Sequence, residues 1–166
     1  MNPLSQARCM TVLLPGTDDL YAWMLGGPAP VPRLTLPPGG IAPAAVLAML
    51  REAMKPIRAA HGGGDWLILD GNEAVGLISL KAPADRGGTV EIGYGIAASR
   101  WGRGHATGAL ALALKEIARD PQIRKVTAET ATANLASQRV LQKNGFVQTG
   151  ARVDSEDGDI ICWERP

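Results

Sequence analysis

Cysteine is scarce in this chain, and the two that occur, Cys9 and Cys162, are too far apart to make a disulfide framework or a zinc-ligand spacing. Cys162, within Ile160-Ile161-Cys162-Trp163, reads as a small apolar residue packed in a strand. The two histidines, His61 and His105, lack metal-ligand spacing as well, so no metal is expected. Long hydrophobic runs are missing. The longest apolar stretch, Ala42 to Leu50, falls far short of the ~20 residues needed to span a bilayer. The run Met10 to Leu14 breaks at Pro15-Gly16, which does not suit a signal peptide. An excess of charge is also lacking: 17 Lys and Arg against 16 Asp and Glu leave a formal net charge of +1. That balance offers no electrostatic reason to expect a nucleic acid or an acidic membrane as partner. A soluble cytoplasmic protein is the expectation.

What is present suits one globular domain, residues 1–166. Hydrophobic residues make up 46% and charged ones 20%, enough for a real core. Met10 to Leu14 reads as a first strand. Thr17-Asp18-Asp19 looks like a helix start with acidic residues in its first turn. A Pro-rich stretch over 26–42 reads as a long ordered loop. Pro43 suits the first turn of a second helix, in which Val46, Met49, Leu50, Ala53 and Met54 recur at helical spacing, and Pro56 is expected to end or kink it. Two strands follow around a hairpin at Asp70-Gly71-Asn72, then a fourth strand from Thr89 to Ala97. A helix from Gly104 to Arg119, a strand from Arg124 to Thr130 and a helix from Asn134 to Asn144 come next. Asn134 caps that last helix and Gly145 closes it. Phe146 to Arg152 and Asp159 to Trp163 are the final strands. Short turns make strands two to four antiparallel, while a right-handed crossover makes strands four and five parallel. The sheet is mixed.

Between the fourth strand and its helix stands Arg100-Trp101-Gly102-Arg103-Gly104-His105-Ala106-Thr107. A helix N-terminus offers unpaired N–H groups and the positive end of the helix dipole, a ready site for phosphate. An ATP-type loop requires Lys-Ser/Thr after its last glycine, and here His105-Ala106 follows Gly104. A dinucleotide fingerprint requires a third glycine where this chain has Thr107, and too little chain remains for a doubly wound sheet.

A third pattern fits. Glu91-Ile92-Gly93-Tyr94-Gly95-Ile96-Ala97, followed by the turn, resembles the acetyl-CoA-binding core of the GNAT superfamily of N-acetyltransferases, whose signature is Gln/Arg-x-x-Gly-x-Gly/Ala. Trp101 stands in the Gln/Arg place, a form similar to the Rim-type branch of ribosomal-protein N-terminal acetyltransferases. A second block, Asn134-Leu135-Ala136-Ser137-Gln138-Arg139-Val140-Leu141-Gln142-Lys143-Asn144-Gly145-Phe146, resembles the same branch. The likeness covers roughly residues 65 to 163. It implies an α+β fold with a central mixed sheet of about six or seven strands, about four flanking helices, and parallel strands four and five splayed apart.

The resemblance also assigns roles. Acetyl-CoA is the implied co-substrate. Its pantetheine arm would pair with main-chain groups of Gly95, Ile96 and Ala97. The pyrophosphate would sit on the turn formed by Trp101, Gly102, Arg103, Gly104, His105, Ala106 and Thr107, and Asn134 would line the cofactor side. Glu91 aligns with the strand-four glutamate that serves as base, since an alkyl amine is mostly protonated at neutral pH and something must take a proton before it attacks the thioester. A strand-four N–H is suited to an oxyanion. The usual tyrosine that protonates the departing thiolate is replaced here by Leu141, and Ser137 is the serine that takes that part in the Rim-type branch, with Tyr94 a further candidate. The implied acceptor is a primary amine, a protein N-terminus or a small molecule, entering past residues 26–42 and the acids Asp154, Glu156 and Asp157. A homodimer is among the implied assemblies. Two other readings stand beside this one: a non-catalytic acyl-CoA binder, and a nucleotide-binding module that uses the same turn.

Overall fold

The computed structural model describes residues 10–166; Cys9 lies outside them. Four antiparallel strands come first in the sheet: β1 (Thr11–Pro15), β2 (Asp65–Asp70), β3 (Glu73–Leu80) and β4 (Thr89–Ile96). β2 and β3 turn at the expected hairpin, where Gly71 takes a left-handed φ of 60°. β3 is buried along seven consecutive residues, Ala74 to Leu80, so it reads as an almost unbroken apolar run rather than an alternation. The second half of the sheet is β5 (Lys125–Ala131), β6 (Val147–Asp154) and β7 (Gly158–Arg165), giving the order β1-β2-β3-β4-β5-β7-β6. β4 and β5 are parallel and β2 to β4 antiparallel, as expected, and β1–β2, β5–β7 and β6–β7 are antiparallel as well.

Four α-helices pack on this sheet. α1 (Asp18–Met24) starts at Thr17, whose hydroxyl accepts from the Leu20 N–H. α2 (Ala44–His61) lies against α1. α3 (His105–Ile117) crosses β1 to β4 with Ala109, Leu110, Ala113, Leu114 and Ile117 buried. α4 (Leu135–Lys143) packs on α3 and buries Leu141. No helix among the described residues is long and apolar enough to cross a membrane.

Pro56 does not end α2. The helix runs one and a half turns further, to His61, before Gly62 caps it with φ 70°. A proline inside a helix costs about 3 kcal/mol, and three interactions of the last turns outweigh it. Ile57 is fully buried. Arg58 grips the buried carboxylate of Asp65 through Nε at 3.0 Å and Nη2 at 2.6 Å. His61 Nδ1 lies 2.7 Å from Asp120, and its Nε2 accepts the Ala84 N–H at 3.0 Å. Periodicity up to Met54 carries no trace of these tertiary contacts.

Candidate active site

β4 and β5 stay together for only three residue pairs: Thr89 with Lys125, Val90 with Val126, and Glu91 with Thr127. Beyond Glu91, β4 continues to Ile96 beside β3, while β5 continues to Ala131 beside β7. A wedge therefore opens between two parallel strands, with Glu91 at its apex. The register decides which main-chain groups face it. The Lys81 N–H donates to the Glu91 carbonyl and the Ala97 N–H to the Val75 carbonyl, both at 2.8 Å. In an antiparallel ladder direction alternates, so residues 91, 93, 95 and 97 bond towards β3, while Tyr94 and Ile96 face the wedge. Of Gly95, Ile96 and Ala97, then, only Ile96 presents its main chain to a ligand there; Gly95 pairs with Leu77, and the Ala97 N–H is taken by Val75.

The turn that follows is a 3₁₀ helix over Ala98–Arg100, an extended Trp101, and two left-handed glycines, Gly102 with φ 75° and Gly104 with φ 81°. A side-chain-bearing residue would be strained by about 1–2 kcal/mol at either glycine. Gly104 is the N-cap of α3 and no side chain caps the helix. The N–H groups of the first turn, His105, Ala106 and Thr107, have no partner within the helix and carry the positive end of its dipole. Arg103 is exposed beside them and Thr107 is half-buried. The His105 imidazole, by contrast, is buried and turned inward, its Nδ1 3.5 Å from the Thr11 hydroxyl and its Nε2 3.7 Å from an Asp70 carboxylate oxygen. It offers an anion its main-chain N–H and not its ring.

Glu91 is half-exposed, and its Oε1 lies 2.6 Å from Lys81 Nζ. Across the wedge stands the first turn of α4. The Asn134 side-chain oxygen accepts from the Ser137 N–H at 3.1 Å, which leaves the Asn134 amide NH2 for another partner. Ser137 is half-buried, and its carbonyl accepts the Tyr94 hydroxyl at 3.2 Å. Burial pushes the Tyr94 hydroxyl above its ordinary range, against the opposing effect of that bond. Leu141 is fully buried and packs in the core, so no proton donor stands at that position. The wedge edge, the left-handed turn and the uncapped helix start fit a ligand with an amide-bearing arm and a pyrophosphate, which is the chemistry of acetyl-CoA.

Several features of the site have no sequence signal. Lys81 is brought to Glu91 by the β3–β4 register. Arg100 is clamped to Glu73 through Nε at 2.6 Å and Nη2 at 3.0 Å. The Trp101 indole N–H donates to the Ile96 carbonyl at 2.8 Å. The loop over 26–42 is anchored by buried Leu34 and Pro37, by main-chain bonds of Thr35 with Asn72 and Ala74, and by the Ser99 hydroxyl on the Pro38 carbonyl. At the other proposed wall, Asp154 is already engaged. Its carboxyl is drawn down to about 2 by the Glu156 N–H first, then by Arg152 and the Asp157 N–H. No group of three or more potential metal ligands occurs among the described residues.

The comparisons agree with this geometry. The model of the acetyltransferase (GNAT) domain matches residues 15–147, and the chain belongs to that family. Its reaction is acetyl transfer from acetyl-CoA to an amine. No curated protein matches the sequence. Among solved structures, the chain is similar to RimL, a ribosomal L7/L12 alpha-N-protein acetyltransferase in complex with coenzyme A, at 19% identity over 98% of this chain and 96% of that one, with a TM-score of 0.72. It is also similar to the aminoglycoside acetyltransferase AAC(6')-Ib in complex with ribostamycin and coenzyme A, at 17% identity over 93% and 92% of the two chains and a TM-score of 0.66. A spermidine N-acetyltransferase chimera from Vibrio cholerae and hSSAT aligns at 16% identity over 93% and 94%, with a TM-score of 0.67.

Proposed function

We propose that this single domain acetylates a primary amine, with a protein N-terminus the first acceptor to test, and that Glu91 and Ser137 manage the protons. The observation that carries the assignment is the parting of β4 and β5 directly after Glu91, at a strand that leads into an uncapped helix start. Acetyl-CoA supplies the activated acetyl thioester. The main chain of Tyr94 and Ile96 lines the wedge for its arm. The N–H groups over 102–107 and the Arg103 side chain receive its phosphates, and the Asn134 amide NH2 contributes from the α4 side. Glu91 takes the proton of the incoming amine, directly or through water, and Lys81 beside it keeps the carboxylate in place. Ser137 hydrogen-bonds the departing sulfur and relays to it a proton taken from water, so its hydroxyl ends the step neutral while the C–S bond breaks. A cytoplasmic location and a homodimer complete the proposal, the second on the resemblance alone.

The test begins with calorimetric titration of acetyl-CoA, ATP and NAD. Acetyl-CoA is expected to bind well above the other two. Equal binding of all three would make the turn a general phosphate cradle and remove the reading. Thiol release is then followed with three acceptors: a peptide with a free N-terminus, spermidine and an aminoglycoside. Acetyl-CoA binding without turnover on any of them favours the non-catalytic acyl-CoA binder.

A further inference from the structure

The sequence holds four tryptophans, and three are buried: Trp23 at 8%, Trp66 at 9% and Trp163 at 3% exposure. Trp101 is the exception at 71%. An indole left in water contributes little to the core, so its position requires another reason. Its N–H supplies one by reaching back five residues to the Ile96 carbonyl at 2.8 Å. Ile96 is the last residue of β4 and, by register, faces the wedge. Trp101 immediately precedes the two left-handed glycines. One side-chain bond therefore joins the end of the strand edge to the start of the anion-binding turn. On the other side of the same 3₁₀ turn, Arg100 is held to Glu73 by two bonds. The turn is pinned from both flanks.

We propose that Trp101 is a positioning residue for coenzyme A, which acts through its indole N–H on Ile96 to fix the turn relative to the β4 edge; this rests on the acetyltransferase reading above. A ligand that spans both parts, arm on the strand and phosphates on the turn, depends on that spacing. A ligand that touches only the turn does not. The indole also occupies the carbonyl that would otherwise continue strand-like pairing, so the arm's track ends at the Ile96 N–H. The length of the track is set by a side chain rather than by the main chain alone.

The test compares wild type with Trp101→Phe, which keeps a ring and removes the donor, and Trp101→Ala, which removes both. Each is titrated calorimetrically with coenzyme A and with adenosine 3′,5′-bisphosphate, which lacks the arm, and each is melted. Because Trp101 is exposed, the melting temperatures are expected to stay together. Trp101→Phe is expected to weaken coenzyme A about five-fold, the net worth of one hydrogen bond, with the bisphosphate unchanged. Trp101→Ala is expected to behave as Trp101→Phe does. If Trp101→Phe binds both ligands as wild type does, the indole N–H has no part and the proposal fails. Equal weakening of both ligands would mean a loosened turn and would overturn the spacing argument. Wild type that fails to bind coenzyme A removes the underlying reading as well, and that outcome is read before any variant is made.

Discussion

β3 and β6 lie in the same sheet and share little else. Seven consecutive residues of β3 are buried, whereas β6 has seven exposed residues in succession, with Val147 and Val153 in water at 52% and 78%. The first half of the molecule holds most of the large buried side chains, among them Tyr21, Met54, Ile57, Leu67, Ile68, Ile78 and Leu80. The second half joins it through three residue pairs between β4 and β5, through the packing of α4 on α3, and by adding Val126, Ala128, Leu141, Phe146 and Trp163 to the same apolar cluster. One half holds the larger share of the core and the other is an arm that completes it, with the candidate site in the seam between them. Stability and chemistry should therefore separate in this protein, and substitutions can test whether they do.

The largest stability loss should come from the core. Arg58→Ala leaves the Asp65 carboxylate buried without its cation, which costs about 3–5 kcal/mol; chemical denaturation reads it. Ile78→Ala opens a cavity in β3 at a cost of about 2–5 kcal/mol. A loss below about 1 kcal/mol for either would mean that the first half is not the load of the fold. At the seam the balance reverses. Glu91→Gln should cut turnover about a hundredfold and move the unfolding free energy by no more than about 1 kcal/mol, since its pair with Lys81 is solvent-facing. Turnover within about twofold of wild type would dismiss Glu91 as the base.

In the arm the effects are small and depend on pH. The Asp154 carboxyl is held at about 2, below an unfolded value near 3.9. A depressed folded-state value stabilises above the unfolded value, and the contribution is lost as pH falls through about 2. Asp154→Asn should therefore differ from wild type in denaturant midpoint near pH ~5 and converge with it towards pH ~2. A constant offset across that range would assign the difference to something other than ionisation. The smallest effect belongs to Val153→Ala, within about 0.5 kcal/mol; more than 1 kcal/mol would show that β6 is covered in solution and would break the contrast with β3.

Local chemistry made much of this legible in the sequence. Thr17 and Asn134 cap helices because a short oxygen-bearing side chain reaches a free N–H, and Gly71 turns a hairpin because only glycine enters a left-handed φ cheaply. The crossover between β4 and β5 followed from strand order alone. What escaped depends on contacts distant in sequence. Pro56 stays helical because Asp65 and Asp120 hold the turn after it. His105 stands in a phosphate-like motif, yet its ring faces Thr11 and Asp70 because α3 crosses β1 and β2. Gly95 and Ala97 look like partners for a bound arm until the register with Leu77 and Val75 directs their main chains the other way. Direction along a strand is set by the neighbouring strand, and a single sequence carries no record of it.

The uneven distribution of the four indoles has an optical consequence. Three sit in apolar surroundings and should emit towards the blue, shielded from a water-borne quencher. Trp101 should emit towards the red and be quenched readily. Light collected at the long-wavelength edge therefore comes mainly from one residue next to the glycine turn proposed to take phosphates, and the protein carries its own lamp at the point where a ligand would arrive.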